Sequence, residues 1–146
     1  MWNEISDNNS ISEFMGAMCY FHDSCIKEIK YLSGAYINKD LSMHPINDKR
    51  VLKVIIQRQS DPFSCIEMVF EGLKFLNLRP VDEEYTCEIL EASMLIKGGC
   101  IYWCDSENLN DIDSDNYSGT VICFERLKWR AVENCMGESE LYISEK

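Results

Sequence analysis

The chain has 146 residues, 46 % of them hydrophobic and 27 % charged, which excludes intrinsic disorder and predicts one globular domain over 1–146. Its formal charge is −11, from 25 acidic against 14 basic residues. That balance argues against a nucleic-acid backbone or an anionic membrane as partner and favours a basic protein.

No apolar run approaches the ~20 residues that a membrane helix needs. Met1 to Asp7 is acidic, unlike the basic and then apolar opening of a secretion signal, so a cytoplasmic location is expected. In that compartment the eight cysteines are expected as reduced thiols, most of them buried among apolar neighbours such as Ile122-Cys123-Phe124.

Residues 1–9 are polar and read as loosely held. A helix is predicted from Ser10 to about Tyr20, because Ser10 and Glu13 have capping-box spacing and Ile11, Phe14, Met15 and Met18 form one stripe. Residues 24–37 carry both helical and extended signals, and a strand is predicted from about Ser24. Val51 to Arg58 alternates with Leu52, Val54 and Ile56 on one face, and Asp61-Pro62 marks a turn.

Ile66, Met68 and Phe70 alternate with Glu67, Val69 and Glu71, as in a half-buried strand. Extended structure resumes at Phe75 to Leu78 and again from Tyr85 to Lys97. Gly98-Gly99 joins the latter to Cys100–Cys104 by a tight hairpin turn. An acidic loop covers 105–116. A last strand runs from Thr120 to Trp129, its alternation shifted near Glu125-Arg126 as a bulge would shift it. Residues 138–146 read as a loose acidic tail. The fold class is α+β, mainly β: an N-terminal helix packed on a curved antiparallel sheet or sandwich of six to seven strands.

Few residues carry chemical signals. His22-Asp23 invites an acid–base reading, but neighbours in an extended segment point to opposite faces, so a structural corner is preferred. Asp23-Ser24 is expected to cap a turn or to donate to backbone at the strand start. Cys19, His22 and Cys25 lack the closer pairs zinc prefers, and Asp111, Asp113 and Asp115 lack the glycine and glutamate of a calcium loop. No metal or other cofactor is expected. Glu67, Glu71, Glu88 and Glu91 read as outward strand residues rather than a carboxylate cleft. Tyr102, Trp103, Tyr117 and Trp129, with Phe124, supply aromatic area, part of it core and part suited to protein binding.

Phe21-His22-Asp23-Ser24, leading into a strand after a short helix and before the alternating strand Val51–Arg58, resembles small bacterial β-rich proteins. That group includes uncharacterised single-domain families and immunity proteins of polymorphic toxin systems. The specific likeness covers residues 21–30. It implies a cytosolic, often acidic protein that binds a toxin domain without chemistry, and it supplies no catalytic motif. The expected function is therefore non-enzymatic protein binding, with His22, Asp23, Tyr102, Trp103, Tyr117 and Trp129 as candidate binding residues. The alternative is a small enzyme or ligand-binding protein with a pocket near His22 and Asp23.

Overall fold

A computed structural model describes residues 1–107 and 118–143. The first strand, β1 (Asn3–Ile5), pairs with a strand near the other end of the chain, so residues 3–5 are held rather than loose. Helix α1 (Asn8–Ala17) then begins two residues before the predicted start. Asp7, with extended backbone, is the N-cap: its carboxylate accepts from the Ser10 amide at 2.7 Å, while Ser10 Oγ accepts from the Asp7 amide at 3.1 Å. Ser10 thus fills the third helical position of the box, and the cap lies three residues upstream of the expected one.

A short 3-10 turn (Cys19–Phe21) leads to β2 (Ser24–Leu32). The next strands are β3 (Tyr36–Ile37), β4 (Met43–His44), β5 (Val51–Arg58), β6 (Cys65–Glu71) and β7 (Phe75–Asn77). They are followed by β8 (Ser93–Lys97), β9 (Cys100–Cys104), β10 (Val121–Phe124) and β11 (Arg126–Ala131). The predicted strand over 85–97 shrinks to β8. Ile89 and Ala92 are buried from an irregular segment, which mimics strand alternation without a ladder.

Among the described residues these strands form three antiparallel sheets, not one sheet or sandwich of six to seven strands. Their orders are β1-β11-β6-β5-β2, β7-β10-β9-β8 and β3-β4. The shifted alternation at Glu125 is a crossing between sheets rather than a bulge: β10 lies in the four-stranded sheet and β11 in the five-stranded one. The β6–β7 link makes the reverse crossing beside it at Gly72 (φ +62), where a Cβ would stand 2.5 Å from the Glu125 carboxylate. Gly98 and Gly99 do form the expected hairpin turn, with Lys97 opposite Cys100.

One apolar core joins the three main parts. Phe14, Met15 and Met18 come from the helix and its end, Leu52, Val54, Met68 and Leu127 from the larger sheet, and Met94, Trp103 and Phe124 from the smaller. Trp103 is 1 % exposed and Trp129 8 %, so neither ring is available to a partner. Trp129 packs between Phe14 and Phe63, with centroids 5.4 and 5.2 Å away.

The outer face of the larger sheet is also covered, which corrects the half-buried reading of β6: Glu67 is only 6 % exposed. Residues 132–142 strap it. Val132, Leu141 and Tyr142 pack on Ile55, Cys65 and Cys135, and the Leu141 and Tyr142 amides donate to the Glu28 carboxylate. Tyr142 donates its hydroxyl to Glu67, and burial beside that carboxylate pushes the phenol far above its ordinary pKa.

Cys65 and Cys135 are joined by a disulfide, Cα atoms 6.3 Å apart, contrary to the all-thiol expectation. Of the six cysteines outside the disulfide only Cys104 and Cys123 are buried, which corrects the expectation that most are.

Candidate functional site

The turn between α1 and β2 is built from left-handed backbone. Cys19, Tyr20 and Phe21 have φ of 50, 53 and 60°, and Asp23 follows at 56°. For residues with a Cβ this conformation costs roughly 1–2 kcal/mol each. The surroundings impose it. Phe21 is fully buried, edge-on to Phe14 and Trp103 at 5.6 and 5.7 Å. The Tyr20 carbonyl accepts from the Ala92 amide at 2.7 Å, and the Asp23 amide donates to Ile89 at 3.0 Å.

Arg58 locks the turn from below. It is buried, donating through Nη2 to the Met18 carbonyl at 3.0 Å and through Nη1 to Pro62 and Phe63 at 3.0 and 2.8 Å. Ser24, its cross-strand partner, is buried with its hydroxyl unbonded, so it is not the expected turn cap.

The left-handed Asp23 overturns the expectation that its side chain points away from His22. Nδ1 of His22 donates to the Leu90 carbonyl at 2.8 Å, and the other ring nitrogen stands 3.3 Å from the Asp23 carboxylate. Both side chains remain about half exposed or more, at 60 % and 48 %.

The segment that receives His22 is the unforeseen part of the site. Residues 78–91 present Asp82, Glu83, Glu84, Glu88 and Glu91 against the single cation Arg79. Among them stand Leu78, Val81, Tyr85 and Leu90, the last two 72 % and 69 % exposed. Asp105 and Glu107 line a shared cleft of about 400 Å³ with Val81, Glu88, Leu90 and Glu91. A neighbouring groove of about 430 Å³ runs between Leu78–Val81 and Ile26 to Ile29 of β2.

Crowding of like charge is felt here. A hydrogen bond to Glu107, then burial and repulsion from the same carboxylate, raise the Glu91 pKa, while nearby His22 pulls it down. The Glu88 carboxyl is lowered by its bond to Thr86.

The six sequence-derived candidates do not converge. His22 and Asp23 meet at this face. Tyr102 lies half-buried on the outer face of the smaller sheet, edge-on to Phe75 at 6.2 Å, its hydroxyl raised by burial and by Cys123. Trp103 and Trp129 are core, the former supporting Phe21 beneath the turn. Tyr117 and the Asp111–Asp115 loop lie outside the described residues.

Glu67 and Glu71 sit on the strapped sheet face, bonded to Arg130 and Lys128, apart from Glu88 and Glu91. Among the described residues no group of three or more His, Cys, Asp or Glu is arranged to hold a metal ion, and no helix is long and apolar enough to cross a membrane.

Sequence reading missed this face because it took 85–92 as strand. The available signal was five carboxylates interleaved with apolar residues after Arg79-Pro80. Comparison with protein-family models, with curated proteins and with solved structures returns no match.

Proposed function

We propose that this protein does no chemistry of its own and binds a basic protein partner through the face made by residues 78–91, 105–107 and His22-Asp23. The observation that carries this reading is the composition of that face. Eight carboxylates, Asp23 among them, accompany exposed Val81, Tyr85 and Leu90, and the turn holds the adjoining His22 against Leu90. Apolar contact supplies affinity at such a surface, while the charge steers a cationic partner and sets salt sensitivity.

An immunity protein that occludes a toxin domain is the specific form of this function, in a bacterial cytoplasm. The contact between His22 and Asp23 favours a second reading, a ligand or catalytic pocket. Against it, the ring is mostly open to water and lines neither cleft.

The test titrates the purified chain with a small basic toxin domain, in parallel with a Glu83→Lys, Glu84→Lys, Glu88→Lys variant. We expect binding that weakens with salt and falls about tenfold or more in the variant. Absence of binding by the unmodified chain, or equal binding by the variant, contradicts the reading.

A further inference from the structure

Residues 33–50, between β2 and β5, form an arm, of which only 33–37 fall within the strand expected from about Ser24. Strands β3 and β4 make a two-stranded hairpin of their own, register Tyr36 to His44 and Ile37 to Met43. Tyr36, Ile37, Met43 and Ile46 are each more than half exposed, and Leu41 is 83 % exposed. Such a density of bare apolar side chains on a soluble surface marks an interaction site.

The arm is built, not loose. Tyr36 stacks on the His44 ring at 4.9 Å, and that ring meets the Asp48 carboxylate at 3.0 Å. The tip is tied by Asn38 and Ser42, whose backbone bond is 2.8 Å. At the base the Lys49 and Arg50 amides both donate to the Ser33 carbonyl. Gly34 (φ +100) is approached so closely that a Cβ there would stand 2.7 Å from the Lys49 nitrogen.

We propose that this arm is a second interaction surface and that its occupant is another copy of this chain, which receives the arm on its 78–91 face. Charge selects that occupant. Within the arm Lys39, Lys49 and Arg50 outnumber Asp40 and Asp48 by one, and Lys30 is exposed on the adjoining β2, a small positive excess in a chain of net charge −11. The 78–91 face offers the inverse: Asp82, Glu83, Glu84, Glu88 and Glu91 beside exposed Tyr85 and Leu90.

Geometry sends the contact between molecules. Strand β2 is bridged to Ile89 at Ser24, whereas the arm leaves beyond Leu32 at its other end. At about 3.3 Å per residue those ends are some 26 Å apart, so an arm extending the β2–β5 hairpin points away from its own acidic face. Two copies lying antiparallel along β2 bring each arm to the other's face, and the contact closes on a two-fold axis.

The inference shares the acidic face with the proposed function but not the arm, so the two fail separately. Sedimentation velocity of the full chain, over a concentration series at low and high salt, reads it directly. The expected result is a reversible dimer that salt weakens. Leu41→Glu with Met43→Glu on the arm, and Glu83→Lys, Glu84→Lys with Glu88→Lys on the face, each weaken it at least tenfold. Circular dichroism checks that both remain folded.

Mixing the two variants restores part of the association, because one intact arm then meets one intact face. A monomer throughout the concentration series, or a dimer indifferent to the arm substitutions, overturns the proposal. Toxin binding by a monomeric chain leaves the proposed function standing alone.

Discussion

The two ends of β2 are built on opposite terms. At Ser24 the strand is pinned: Ile89 bridges it, Leu90 holds His22, and Arg58 clamps Met18 to the 62–63 loop. The core there over-determines a turn of left-handed residues that the local sequence disfavours. Beyond Leu32 the chain also turns through left-handed residues, Leu41 (φ 71) and Arg50 (φ 47), but it has almost no cover and spends apolar side chains on solvent. Left-handed backbone is common to both ends, and what separates them is packing: one end is locked into the core, while the other leaves even left-handed Leu41 bare and points outward to a partner.

That contrast predicts unequal mutational costs. Phe21→Ala should be the most damaging change, lowering unfolding free energy by about 4 kcal/mol through loss of burial and the cavity left between Phe14 and Trp103. Arg58→Met should cost about 3 kcal/mol, because the buried Met18 carbonyl and the part-buried carbonyls of Pro62 and Phe63 lose a charged donor. Urea denaturation measures both. A loss under about 1 kcal/mol in either would show that the pinned end is not what holds the turn.

At the other end Gly34→Ala should cost about 2 kcal/mol, since φ is positive and the Cβ would strike Asp48 and Lys49. Leu41→Glu, at the tip of the same arm, should change stability by less than about 0.5 kcal/mol. A large cost for Leu41→Glu in dilute monomer would mean that the arm is packed on its own body.

The smallest effect concerns pH. The Glu91 carboxyl is raised in the folded chain by Glu107, above the ordinary glutamate value of 4.5. A raised carboxyl means that the folded state holds the proton longer than the unfolded one. Its stabilising contribution is therefore complete below 4.5 and is lost as pH rises through the higher folded value. Glu91→Gln should abolish that small decline, and equal pH profiles for the two proteins would show that the carboxyls do not interact.

Much of the sheet structure was legible, because period-two alternation reports which side chains face inward. Val51–Arg58, Cys65–Glu71 and the Gly98-Gly99 hairpin follow from it. Alternation does not say which sheet a strand joins, so the crossing at Glu125 read as a bulge. Nor does it separate a ladder from an irregular segment that buries Ile89 and Ala92. Left-handed backbone at Cys19, Tyr20, Phe21 and Asp23 has no local code, since only tertiary packing imposes it on such residues. That hid the contact between His22 and Asp23. The arm was illegible for a related reason: its apolar residues look like core until the fold leaves them uncovered.

The most direct test is calorimetric titration of a small basic toxin domain, of the class the proposed function names, into three proteins: the unmodified chain, the Glu83→Lys, Glu84→Lys, Glu88→Lys variant, and the Leu41→Glu, Met43→Glu variant. The acidic face as binding surface predicts tight binding by the first and third and at least a tenfold loss in the second. Binding by the second as tight as by the first would contradict it.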